Sequence, residues 1–152
     1  MVDWLELRVP PPIVFACIGA LMGGAVWVLP VFAFSLPWPL AAVAAAAGIF
    51  VGAAGVLQFR RARTTLNPLK PGEASALVTG GVYRWTRNPM YLGMALVLLG
   101  WGLYLGNFGA LVLVGAFVSY IDRLQVEPEE HALQERFGDA FAAYRKRVRR
   151  WL

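Results

Sequence analysis

Residues 77–93 read LVTGGVYRWTRNPMYLG. A Gly-Gly pair, two arginines and an Asn-Pro stand directly against an apolar run that carries no charged residue from Asn88 to Ile121. Gly80-Gly81 is a turn signal. Asn88 is a favourable N-cap residue, and Pro89 suits the first helical position because its missing N–H has no intrahelical partner there. A helix is therefore predicted to start at Pro89, with free N–H groups and a positive dipole end suited to an anionic group.

Working outward, a second uncharged block runs from Val9 to Phe59. Of the 152 residues, 59% are hydrophobic and 15% charged, against roughly 25% charged in soluble proteins. A soluble fold of this size cannot hide two such blocks, so the composition predicts an integral membrane protein. The expected fold class is all-α and polytopic, a single domain over residues 1–152 with four transmembrane helices at 13–34, 40–59, 89–105 and 108–121. A cytoplasmic linker at 60–88 and a cytoplasmic amphipathic helix at about 128–150 complete it.

Each boundary has a local cause. The prolines of SLPWPL, residues 35–40, interrupt the first block. Gly106-Asn107 splits the last block into a hairpin. Gly48, Gly52 and Gly55 lie four and three residues apart, a spacing that lets helix backbones approach closely. The linker holds Pro68, Pro71, Gly72, Gly80 and Gly81 and is expected to be irregular. In the tail, Leu133, Phe137, Phe141, Tyr144, Val148 and Trp151 form one apolar stripe at helical spacing. By itself that stripe describes a helix lying on a membrane surface.

All fourteen Lys and Arg lie before the first span, in residues 60–87, or after Ile121. The positive-inside rule then places both termini and the linker in the cytoplasm. The expected location is a bacterial or archaeal inner membrane. The net charge of +5 is read as pairing with lipid headgroups, with no nucleic-acid partner. The start MVDWLELR carries one basic and two acidic residues, unlike a secretory signal, so the first run is expected to be retained. One cysteine, Cys17, and one histidine, His131, leave no basis for a disulfide framework or a metal cluster.

The stretch at 77–93, followed by EEHALQERFGDAFAAYRKRVRRWL at 129–152, resembles the isoprenylcysteine carboxyl methyltransferase and phospholipid methyltransferase superfamily over roughly residues 60–152. The shared pattern is a Gly-x-Tyr, an Arg-Asn-Pro with a Tyr two residues on, a paired glutamate, and a Phe-Gly in a C-terminal helix. The resemblance implies an integral membrane enzyme that transfers a methyl group from S-adenosylmethionine to an apolar or membrane-embedded acceptor: a lipid amine, a thiol or a carboxylate. It places cofactor contacts on a strand-like segment of Ser75, Ala76, Leu77 and Val78, then on Tyr83, Asn88, Pro89, Met90, Tyr91 and Glu129. An arginine that holds the substrate carboxylate in prenylcysteine enzymes corresponds here to Gln125, with Arg123 the nearest cation. Glutamine cannot neutralise a carboxylate. No catalytic base and no metal are implied.

Blander readings stand beside these. Glu129 and Glu130 suit the first turn of a helix by charge alone. His131 reads as a surface residue, and Arg147 as part of a solvated basic run. Tyr91 also fits an interfacial aromatic, and Arg87 fits a headgroup contact or a pocket wall. The non-catalytic alternative is a membrane scaffold or lipid-binding protein that keeps the fold.

Overall fold

The computed structural model describes residues 7–28, 30–62 and 75–152. Five α-helices follow one another: α1 Pro11–Val28, α2 Trp38–Arg61, α3 Pro89–Leu105, α4 Phe108–Ile121 and α5 Glu127–Arg147. Among the described residues there is no strand, only an isolated bridge between Ala33 and Asn107. The protein is all-helical.

Helix α1 opens on prolines at 11 and 12, which its first turn tolerates. It ends at Val28 rather than running to Phe34 as the apolar run suggested. Pro30 is the reason: it has no N–H to continue the helix, and it begins a short 3₁₀ turn, Pro30–Phe32. Helix α2 starts at Trp38, immediately after the proline pair begins, and ends with Arg60 and Arg61 in its last turn, where the dipole favours cations. Arg63, Pro68, Pro71 and Gly72 of the linker lie outside the described residues.

The hairpin between α3 and α4 follows its sequence signals closely. Gly106 closes α3 in the left-handed conformation, φ 61°, and its N–H bonds the carbonyls of Gly102 and Leu103. Asn107 caps α4, its Oδ1 accepting from the Ala110 N–H at 3.2 Å. The Phe34 N–H donates to the Gly106 carbonyl at 2.7 Å, tying the α1–α2 connection to the hairpin turn.

Helices α1, α2 and the continuous helical run Phe108–Arg147 are long and apolar enough to cross a membrane; α3, with 17 residues, is a shorter apolar helix. Val43, Ile49 and Phe50 of α2 are exposed, as an outward face in lipid would be. The closest packing joins α2 to α3. A Cβ on Gly48 would stand 2.6 Å from the Gly93 carbonyl oxygen, and one on Gly100 would stand 2.7 Å from that of Ala41. Small residues thus set the interhelical distance, as expected where lipid removes the hydrophobic drive between helices. A core of Met22, Leu98, Ala110, Phe117, Ile121 and Val126 joins α1, α3, α4 and the segment after it.

That segment, Asp122–Val126, is a π-turn joining α4 to α5 without a loop. Its wider hydrogen bonding lets another part of the chain reach it: the Leu7 N–H donates to the Leu124 carbonyl at 3.1 Å. Helix α5 is not one straight element to residue 150. Gly138 has φ 49° and ψ −123°, a geometry open to glycine, and kinks it; the helix stops at Arg147 and the chain extends from Val148.

Candidate functional site

The stretch at 75–88 contains no strand: Ser75 and Ala76 bend, and Leu77–Thr79 are irregular. A 3₁₀ turn, Gly81–Arg84, follows. Gly81 adopts φ 59° against the Gln58 side chain, where a Cβ would be both strained and crowded. The turn buries Tyr83 beside Phe59 of α2, ring centroids 5.5 Å apart. The Tyr144 hydroxyl donates to the Tyr83 carbonyl at 2.7 Å, bringing the second half of α5 onto the turn.

Between this corner and α5 lies a partly open cavity of about 80 Å³. Phe59, Tyr83, Phe141 and Tyr144 supply aromatic walls, and Leu77, Val78, Met90 and Leu133 aliphatic ones. The polar groups facing it are Arg87, Asn88, Tyr91, Glu129 and Glu130. A mostly apolar cleft with a few convergent polar groups is the general form of a small-molecule site.

The two glutamates have separate partners. The Tyr91 hydroxyl donates to Glu129 Oε1. Glu130 is buried, with Oε1 receiving Arg87 Nε at 2.9 Å and Nη2 at 2.7 Å, and Oε2 receiving Arg150 Nη2 at 2.8 Å. Arg87 Nη1 donates to the carbonyls of Val148 and Arg145. Glu130 is thus neutralised by two guanidiniums, whereas Glu129 has a neutral phenol. Loss of water pushes the Glu129 carboxyl up to about 8; the Tyr91 hydrogen bond pulls it down, and the charge of Glu130 pushes it up again. Burial raises the Tyr83 phenol well above its ordinary value, with the neighbouring Tyr144 and Glu129 adding to the effect. Burial also takes the Tyr144 phenol to about 12, Arg87 opposing the rise and Glu130 adding to it.

Of the residues singled out in the sequence, Ala76, Leu77, Val78, Tyr83, Asn88, Met90, Tyr91 and Glu129 line this one cavity. Ser75 is the neighbour of that wall in the chain, and Pro89 is buried behind it against Gly55. Asn88 differs from expectation in detail. Its side chain makes no capping bond to α3. Its Nδ2 donates instead to the Arg150 carbonyl at 3.0 Å, because the 148–150 segment lies against the corner. Gln125 and Arg123 do not line the cavity. Gln125 is buried with Nε2 on the Val9 carbonyl at 2.9 Å; its Oε1 has no partner among the described residues. Arg123 and His131 are exposed.

Phe59, Glu130, Leu133, Phe141 and Tyr144 complete the lining without having been assigned to it. Three of them, Leu133, Phe141 and Tyr144, belong to the apolar stripe of the tail. That stripe gives the signal: taken alone it describes a helix on a membrane surface, and here it packs against the corner. Nothing local marks Arg87 as the partner of Glu130, which lies 43 residues away.

A family model described as phospholipid methyltransferase matches residues 38–140. A protein-S-isoprenylcysteine O-methyltransferase of Schizosaccharomyces pombe is 29% identical over 101 residues, 66% of this chain and 43% of that protein. Its Mus musculus counterpart is 36% identical over 76 residues, 50% of this chain and 27% of the mouse protein. An uncharacterized protein of Haemophilus influenzae is 44% identical over 63 residues, its whole length and 41% of this chain. The matches thus span less than half of the two named enzymes. No solved structure is significantly similar. With two thirds of its residues, from α2 into α5, matched by one family model, the chain belongs to the phospholipid methyltransferase family, in the superfamily it shares with the isoprenylcysteine methyltransferases.

Proposed function

We propose that the cavity between the corner and α5 holds S-adenosylmethionine, and that the protein methylates an acceptor carried in the membrane. The observation that carries this reading is the pairing at the two glutamates. Glu130 is fully neutralised, which leaves Glu129 as the carboxylate in the cavity without a cationic partner among the described residues. The cofactor fits that donor set. Glu129 suits its α-ammonium, and the first turn of α3, which Asn88 leaves uncapped, suits its carboxylate. The aromatic walls suit a purine ring.

When bound, the cofactor supplies a methyl group already activated on a sulfonium. The chain's own task is then positioning and exclusion of water. Phe59, Met90 and Leu133 supply apolar lining that excludes water from the cavity. Arg87 is the cation lining the cavity among the described residues, and it is committed to Glu130 and two main-chain carbonyls. Among the described residues no guanidinium lining the cavity is left for an acceptor carboxylate, which favours an amine or a thiol over the acceptor named for the yeast and mouse relatives. The positive-inside pattern and the arginines ending α2 support a reading with the cavity and both termini cytoplasmic and four helices crossing an inner membrane.

Titration calorimetry on detergent-purified protein tests the cofactor: binding is expected in the wild type and lost in Glu129→Ala. Enriched membranes incubated with methyl-labelled cofactor should yield a labelled product in the lipid phase, stable to base if the acceptor is an amine. A base-labile methyl ester would overturn the preference for an amine or thiol, and an absence of binding would overturn the reading as a whole.

A further inference from the structure

Arg150 lines no part of the cavity, yet it touches two of the residues that do, Glu130 and Asn88, and two that flank them, Asp122 and Thr86. Its side chain bonds Glu130 Oε2 at 2.8 Å and Asp122 Oδ2 at 3.0 Å. Its carbonyl accepts from Thr86 Oγ1 at 3.1 Å and Asn88 Nδ2 at 3.0 Å. The residues around it continue the seam. The Arg87 N–H donates to the Arg149 carbonyl at 3.0 Å, and Trp151 Nε1 donates to Asp122 Oδ1 at 2.9 Å. Three consecutive residues of the corner, Thr86 to Asn88, are therefore fastened to three consecutive residues of the tail, Val148 to Arg150.

We propose that Arg150 is a positioning residue for the cofactor cavity, holding the Arg-Asn-Pro corner and the glutamate pair of α5 in one register from outside. The proposal rests on the cofactor reading given above. Charge and geometry both support it. Arg87 and Arg150 balance Glu130 and Asp122, two cations against two carboxylates, so the network is neutral and Glu129 remains the unbalanced carboxylate facing the cavity. Glu130 is nearly inaccessible, its side chain 8% exposed. Losing one of its two guanidiniums leaves a buried carboxylate half-satisfied. Arg87 then carries it alone, and the corner and α5 lose the tie that fixes the distance between Asn88 and Glu129. The fork of arginine reaches Glu130 and Asp122 at once; a lysine is a point charge that cannot hold both in that geometry.

The test is steady-state kinetics with S-adenosylmethionine on the full chain, beside amide exchange in the ligand-free protein. Arg150→Met is expected to raise the cofactor KM by about tenfold and leave kcat within about threefold, because preorganisation is lost while the reacting groups remain. Arg150→Lys, which keeps the charge but not the fork, should recover part of the loss. Exchange of the Arg87 and Leu92 amides, bonded to Arg149 and Asn88 carbonyls, should accelerate in the Met variant and recover in the Lys variant. Should Arg150→Met not fold, Thr86→Val, which removes one bond to the Arg150 carbonyl, is expected to raise the KM by about threefold. An unchanged KM, or a lysine variant no better than methionine, overturns the proposal. A wild type that binds no cofactor would refute the functional reading instead, and the exchange data alone would then decide whether Arg150 sets the corner.

Discussion

Raising the pH should strengthen binding of a cationic cofactor, and the size of the effect follows from the surroundings of Glu129. Its carboxyl sits at about 8 in the ligand-free protein. A group with that value is ionised in about 1% of molecules near pH 6 and in about half near pH 8, so the apparent Kd should fall by about 50-fold between them. The cation selects the ionised form, so about one proton should be released per cofactor bound near pH 6. Calorimetry in two buffers of different ionisation enthalpy measures that proton directly. Stability of the ligand-free protein should move the other way. The folded state keeps the proton between the ordinary glutamate range and pH 8, where the unfolded chain has lost it. Stability contributed by Glu129 is therefore greatest at low pH, declines as pH rises to about 8, and is level above. Glu129→Gln should remove both slopes and weaken binding by about 10- to 100-fold. A wild-type Kd that stays flat between about pH 6 and 8, with no proton released, would refute the argument that Glu129 is a desolvated carboxyl facing the ligand.

The remaining predictions concern the frame around the site. Gly93→Val should cost about 1–3 kcal/mol or more, read as a lowered thermal midpoint in detergent, because its Cβ would meet the backbone of Gly48 and Gly52 within 2.8 Å. Tyr144→Phe should cost about 1–3 kcal/mol by leaving the Tyr83 carbonyl, now bonded at 2.7 Å, without its donor; chemical denaturation measures it. Gln125→Leu removes a bond to the Val9 carbonyl and also an oxygen with no partner among the described residues. The two changes offset, so stability should stay within about 1 kcal/mol. The acceptor KM should be unchanged, since the residue lies outside the cavity.

What could be read in the sequence was local. Gly106-Asn107 sets the hairpin because a left-handed cap and a side-chain cap act within a few residues. The apolar blocks and the spacing of Gly48 and Gly55 likewise carry their meaning in the chain itself. Errors arose where a residue answers to a distant partner. The run to Phe34 looked continuous because Pro30 is itself apolar. Asn88 looked like a cap and serves the tail, 62 residues away. The stripe through Val148 and Trp151 has helical spacing, yet hydrogen bonds to Thr86, Arg87 and Asn88 draw that segment into an extended path. The Phe-Gly of the tail was visible, but not that Gly138 bends the helix. The Arg87–Glu130–Arg150 network has no periodic signature, since each contact joins separate elements.

One feature of the backbone reaches further. From Phe108 to Phe137 the chain is helical throughout, passing through the π-turn at Asp122–Val126 and carrying both glutamates before the bend at Gly138. With no loop to absorb motion, a shift at the hairpin end would be carried along the helix to Glu129 and Glu130.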